Sequence, residues 1–380
     1  MKTTRWRAMA TIAIRMMMHD KLKMIGILVG VVFAVLLTNQ NAGTFLGLLA
    51  KNTMILDNSG ADLWILPPGT MQLQPGKTIP DATLMQARVT PGVAWADPIL
   101  FGGATVSLPG GGSEQVSLIG TRGPLFHGGP WNVVAGSKEA LSRPDTMIFE
   151  DSEREKLGGL NLGSVREVNG HKIVVGGFTW GLLPFGPSYA FASFDLAREL
   201  LHTDADRINF VLVRLAPGAD AHRVRDDLRA RVPDAKVMTS GEFRSCLINF
   251  VLTRTPIGTT MGAAALFGLL VGFIIVALTM FSAVVDNIRE FGTLKAIGAT
   301  TFDLAKILLV QSVIYAAFGS LIGLTVVSQV ASAIRSPKMG MVLPPWLFGV
   351  TSLLMVVLCI VASSLSLIRL RKLEPAMVFR

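Results

Sequence analysis

The sequence predicts a membrane protein of four transmembrane α-helices, with a large extracytoplasmic α+β domain inserted between the first and second. Three observations predict it. Four stretches, residues 24–50, 255–285, 307–334 and 339–368, contain no Asp, Glu, Lys or Arg. About 20 helical residues cross a hydrocarbon core of about 30 Å, so each stretch is long enough. The chain as a whole is 51% hydrophobic and 16% charged, whereas soluble chains carry about a quarter charged residues. The charge that is present gathers elsewhere, above all in residues 51–254, where strand and helix patterns alternate.

Orientation follows from the positive residues. The segments before the first span, between the second and third, and after the fourth together hold 13 basic and 5 acidic residues. Residues 51–254 hold 20 basic and 21 acidic residues. Cytoplasmic segments are the ones enriched in Lys and Arg, so both termini are expected in the cytoplasm and the large domain outside. The net charge of +9 is therefore a topological and anionic-lipid signal rather than a nucleic-acid footprint.

Taken in order, residues 1–21 read as a cytoplasmic amphipathic helix with Trp6, Met9, Ile12 and Met16 on one side, suited to the membrane interface. Met16, Met17 and Met18 point in different directions on a helix, so packing and lipid contact are expected of them rather than metal binding. Residues 22–50 read as the first span and a stalk, an anchor rather than a cleaved leader because the run is long and Ala42-Gly43 is a poor cleavage site. Its patch Thr38-Asn39-Gln40-Asn41 fits either the lining of a lumen or subunit interface, or the outer membrane boundary.

Residues 51–254 form the outer domain. Segments 61–66, 93–108, 115–119, 172–178 and 208–215 have strand character, rich in Val and Ile and bounded by Gly or Pro. Segments 82–89, 196–201 and 219–232 have helical pattern, the last beginning after Pro217-Gly218 and ending before Pro233. The charge-rich middle, residues 150–156, suggests two lobes, one inserted in the other. The remaining boundaries are a second span at 255–285, a cytoplasmic loop at 286–306, a third span at 307–334, a short outer loop at 335–338, a fourth span at 339–368 and a tail at 369–380.

No engine of its own is visible. The chain lacks GxxxxGK[ST], GxSxG and HExxH, and Gly110-Gly111-Gly112 reads as a turn between strands. The five histidines (His19, His127, His171, His202, His222) are scattered, each expected at the surface. The two cysteines, Cys246 and Cys359, fall in different compartments and are not expected to pair. No cofactor or metal is expected on the chain, and it is not expected to be an enzyme.

The informative stretch is the cytoplasmic loop. Phe291, Leu294 and Ile297 recur every three residues, giving an apolar helical stripe in a segment expected to face water. Such a stripe marks either a docking face or a helix resting on lipid. The run Arg289-Glu290-Phe291-Gly292-Thr293-Leu294-Lys295-Ala296-Ile297-Gly298-Ala299 resembles the loop pattern R-x-E-x-x-x-L-[KR]-A-[IL]-G-A of MacB/FtsX-type ABC permeases. It departs only in having Arg289 directly before Glu290. The tail from Arg371 to Arg380 is similar to the family's closing R-[KR]-x-x-P-x-x-x-[FL]-R. The outer domain fits at Ala61-Asp62-Leu63-Trp64-Ile65-Leu66, Pro91-Gly92-Val93 and Val213-Arg214-Leu215.

The resemblance covers the whole chain and is nearest the DevC-like branch, whose ATPase is a separate polypeptide. It implies the type VII ABC exporter architecture in a bacterial inner membrane. Arg289, Glu290, Gly292, Leu294, Lys295, Ile297 and Gly298 would then couple the chain to a cytoplasmic ABC ATPase. That partner would bind ATP and Mg, and its hydrolysis would reach the outer domain by mechanotransmission. The resemblance further implies a homodimer, an amphiphilic or hydrophobic exported substrate, and for many relatives a HlyD-like periplasmic adaptor and an outer-membrane channel. The alternative it leaves is an FtsX-like regulator of a cell-wall hydrolase, for which the outer domain is large. Uncharged spans and the absence of a catalytic constellation agree with the first reading.

Overall fold

A computed structural model describes residues 11–18, 21–73, 75–184, 186–333 and 340–371. The chain divides into two compact units, one of residues 1–47, 259–335 and 341–380, the other of residues 48–258 and 336–340.

The first unit is helical. Residues 11–18 form helix α1, and α2 runs unbroken over Lys21–Asn58. Among the described residues, four helices are long and apolar enough to cross a membrane, with candidate spans at Met24–Asn58, Pro256–Asp286, Thr301–Ala333 and Pro345–Ser364. On α2, Ile27, Val31, Ala34 and Val35 are buried, while Leu22, Ile25, Val29 and Phe33 are exposed. That division at i, i+4 and i+7 turns one stripe to the bundle and leaves an apolar stripe to lipid. The bundle core joins this stripe to Val276, Met280, Tyr315, Ala316, Met355 and Cys359.

Small residues let the helices approach closely. A Cβ built on Gly319 would lie 2.5 Å from Val31 Cγ1, and one on Gly323 2.8 Å from Val35. Gly319-Ser320-Leu321-Ile322-Gly323 is thus a GxxxG contact, the device by which helices pack where lipid removes the hydrophobic drive. The Thr38–Asn41 patch is divided. Asn39 is fully buried and donates to Val35 O (2.9 Å), while Thr351 Oγ1 donates to Asn39 Oδ1 at 3.3 Å. Gln40 is exposed. Of the three consecutive methionines, Met17 is buried in the bundle, Met16 packs partly buried beside it, and Met18 is exposed. Residues 1–10 of the expected interfacial helix, the 335–338 loop and residues 372–380 of the tail lie outside the described residues.

The second unit is built on one ten-stranded sheet. Its strands in chain order are β1 Leu63–Leu66, β3 Val93–Ser107, β4 Ser113–Thr121, β5 Val133–Gly136, β6 Thr146–Glu150, β7 Val165–Val168, β8 His171–Thr179, β9 Tyr189–Ser193, β11 Phe210–Leu215 and β12 Lys236–Thr239. Strands β2 Ile79–Pro80 and β10 Arg207–Ile208 form a separate ribbon. The spatial order is β12-β1-β11-β3-β4-β9-β6-β8-β5, with β7 pairing β3 and β8. Only β4–β9 and β6–β8 are parallel pairs. Strands β3 and β4 form a long hairpin whose turn holds Gly111 and Gly112 at positive φ, as the Gly-rich run predicts. The segment around residues 150–156 follows β6, which extends the same sheet, and residues 48–258 are one unit.

Central strands bury both faces. On β1, Leu63 and Ile65 enter one core while Trp64 and Leu66 enter the other, because successive side chains alternate across a sheet. Phe210 and Leu212 against Val211 and Val213 repeat the division on β11. Helices α3 Ala82–Arg88, α4 Phe194–Leu200 and α5 Ala221–Arg231 contribute Leu84, Ala87, Leu196, Leu200, Val224 and Leu228 to the first core. Helix α6, Ser240–Arg254, contributes Phe243 and Leu247 to the second.

Helix α6 begins with a reciprocal cap. Glu242 N donates to Thr239 Oγ1 (3.1 Å) and Thr239 N donates to Glu242 Oε2 (2.9 Å), a capping box. Arg225 of α5 also donates to Glu242. Partial burial works against the Glu242 charge, but the Thr239 amide and then Arg225 outweigh it and hold the carboxyl below its ordinary range.

Candidate functional site

The sequence singles out the connection between the second and third candidate spans, α7 Pro256–Asp286 and α9 Thr301–Ala333. It contains one short helix, α8, Ile288–Ala296. The apolar stripe expected on it is not uniformly exposed. Phe291 is 2% exposed and joins Ala13, Val284, Leu304, Ile307 and Leu308 in a small core, with Leu294 packed partly buried beside it. Ile297, by contrast, is 80% exposed. The stripe therefore splits: its first two members fasten the helix to the bundle and its last projects from it.

Both ends of the turn after α8 are fixed by local chemistry. Gly298 N donates to Lys295 O (3.1 Å) and Ala299 N donates to Leu294 O (3.0 Å). With Gly298 at φ +103°, these two bonds make the Schellman arrangement that ends many helices. No side-chain atom crowds a Cβ placed at Gly298, so the backbone conformation, not space, calls for glycine there. The next helix opens at once. Asp303 N donates to Thr300 Oγ1 (3.3 Å) and Thr300 N donates to Asp303 Oδ2 (3.2 Å), a second reciprocal cap. Asp303 is itself buried, with Lys306 Nζ at 3.6 Å. Lys306 also lies over the Phe302 ring, 4.4 Å from its centroid, within cation–π range.

The seven residues singled out are not equivalent. Arg289, Ile297 and Gly298 are exposed, Glu290, Leu294 and Lys295 are half-buried, and Gly292 is buried beside Phe291. The geometry brings Arg289, Thr293, Ala296 and Ile297 onto one exposed face, spaced three or four residues apart on the helix. Sequence reasoning missed Phe302, which is 71% exposed one residue into α9. An aromatic residue inside the Thr300-x-x-Asp303 helix start was the available signal. The hairpin thus exposes two large apolar side chains, Ile297 and Phe302, with Lys306 over the Phe302 ring.

Among the described residues, no group of three His, Cys, Asp or Glu side chains is placed to hold a metal.

Comparisons with known proteins agree with this arrangement of parts. Residues 22–231 match the MacB-like periplasmic core domain family, and residues 262–375 match the FtsX-like permease C-terminal family. An uncharacterized ABC transporter permease of Methanocaldococcus jannaschii is 27% identical over 150 residues, a match spanning 37% of each chain. The periplasmic region of MacB from Actinobacillus actinomycetemcomitans aligns with a TM-score of 0.39 at 12% identity, over 52% of this chain and 98% of that one. The extracellular domain of the noncanonic ABC-type transporter YknZ from Gram-positive bacteria aligns with a TM-score of 0.33 at 17% identity, over 47% and 98%. By the family match over more than half its length, this multi-pass membrane protein belongs to the MacB-like family, its periplasmic core domain joined to an FtsX-like permease C-terminal region.

Proposed function

We propose that the chain is the permease subunit of an ABC exporter, driven by a separate cytoplasmic ATPase that docks on the α8–α9 hairpin. One observation carries this reading: a short helix between two candidate spans is anchored inward by Phe291 and projects Ile297 outward. A face so built transmits a push, because the side chain that is touched and the side chain that is packed lie on the same two-turn helix. ATP and Mg belong to the partner, and hydrolysis there moves the hairpin and, through the bundle, the large domain. The Lys and Arg residues in the hairpin and at both chain ends support a cytoplasmic location for these and, for the large domain, the outer side of an inner membrane. The working unit is a homodimer that handles an amphiphilic or hydrophobic substrate, with a periplasmic adaptor and an outer-membrane channel as further partners.

The test is a pull-down of the tagged chain from its native membrane in mild detergent, with mass spectrometry of the recovered proteins. A Walker-motif ATPase recovered with the unmodified chain and lost with Ile297→Asp is the expected result. An ATPase recovered equally with both would place docking elsewhere, and none recovered even after crosslinking would end the reading.

A further inference from the structure

The sheet unit carries two cavities that the hairpin does not involve. Both are lined by Arg143 and Pro144 of a short exposed ridge, residues 142–145. One has a volume of about 640 Å³ and the other about 420 Å³, within the roughly 300–1,000 Å³ of small-molecule sites.

The larger cavity is apolar. Ala140, Leu162, Val174 and Val175 line it, together with Gly136 and Gly176. The glycines are required there: a Cβ on Gly176 would lie 2.3 Å from Thr146 Cγ2, and one on Gly136 2.3 Å from Gly176 O. The wall between them is therefore bare backbone. Leu162 is 53% exposed and Val174 38%, and Val165, paired with Val174 across β7 and β8, is also exposed. Single exposed apolar residues are ordinary, but Leu162 and Val174 line one concavity, and with Val165 paired beside it they leave a wettable hollow that an aliphatic chain would dry.

The smaller cavity is polar. Ser142, Ser193, Asp195 and Glu199 line it. Asp195 and Glu199 are exposed and four residues apart on α4, so their carboxylates share one helix face. Among the described residues neither forms an ion pair, whereas Asp145 is already held by His171 at 2.9 Å. Asp195 and Glu199 thus line the cavity together with Arg143 and, among the described residues, without an ion pair, while Arg122 and Arg198, still charged, stand against the Phe194 ring.

We propose that the two cavities form one binding site for an amphiphile, its aliphatic part in the larger cavity and a cationic amine head beside Asp195 and Glu199. The role of this site in export rests on the permease reading; binding itself does not.

The test uses the full chain in lipid nanodiscs without any ATPase. It is irradiated with octylamine carrying a diazirine on its tail, and labelled residues are mapped by mass spectrometry, with octylamine or octanoate as competitor. Labelling is expected within residues 136–146 and 162–176, with octylamine displacing the probe about ten-fold better than octanoate, a difference of about 1.4 kcal/mol. Val174→Glu should abolish the label. Asp195→Asn with Glu199→Gln, both at the surface, should keep the label but erase the preference for amine over carboxylate. Label scattered over the unit, or unchanged in V174E, would overturn the site, and equal displacement by octanoate would overturn the amine head. Since no ATPase is present, these failures leave the docking test untouched, and failure of the pull-down leaves this site standing.

Discussion

Gly319 and Val31 meet with no room for a side chain between them: a Cβ on Gly319 would sit 2.5 Å from Val31 Cγ1. Gly319→Leu should therefore cost about 1–3 kcal/mol through overpacking, read as a lower Tm in detergent. Gly262→Ala is the control, since nothing lies within 4 Å of a Cβ there, and its Tm should be unchanged or slightly raised.

Phe291 and Ile297 separate stability from docking. Phe291→Ala empties a buried position and should destabilise by about 3–5 kcal/mol. Ile297→Asp alters an exposed side chain and should leave stability within about 0.5 kcal/mol while removing ATPase stimulation by the permease. Equal loss of Tm in the two variants would contradict the split assigned to them.

Gly298 ends α8 at φ +103°. Gly298→Val places a β-branched side chain in that conformation and should cost about 1–3 kcal/mol, seen as faster hydrogen exchange across Ile288–Ala296. Gly298→Asn, which tolerates left-handed backbone better, should lose less.

The large domain should lose stability in acid through Glu242. Its carboxyl is held below the ordinary value in the folded chain, so the stabilisation is complete at neutral pH and is lost as pH falls through the folded-state value. Thermal melts from about pH 6 to about pH 3, spanning the ordinary carboxylate range, should show a shallower decline for Glu242→Gln than for the unmodified chain. Parallel curves would remove Glu242 from the account.

Much of the architecture was legible because the lipid constraint is strong. Charge-free runs locate the spans, and Val- and Ile-rich segments bounded by Gly or Pro locate β1, β3, β4, β8 and β11. Strands β6 and β9, Thr-Met-Ile-Phe-Glu and Tyr-Ala-Phe-Ala-Ser, escaped because each is short and almost wholly buried, leaving no alternation to read. Helix α6 was missed although Thr239-x-x-Glu242 spelled its start; its apolar end runs on towards the second span and hides the boundary. In the hairpin, periodicity found the stripe but could not say which members turn inward, because that depends on Val284, Leu304 and Leu308 from other elements. The contact of Gly319 and Gly323 with α2 had a sequence sign in its spacing, though the partner helix did not.

Because Leu63 and Trp64 serve opposite cores, as do Val211 and Leu212, the sheet absorbs a change in strand length only as a bulge, such as the register shifts at Arg214/Leu215 and Met147/Ile148. One residue inserted in a central strand without such a bulge would hand every later side chain to the wrong layer. Descendants of this sequence can therefore lengthen or shorten most readily where strands stop, as at the Gly110–Gly112 turn or along the 142–145 ridge. Evolution of what the domain recognises is channelled to its rims, while its interior changes mainly by substitution.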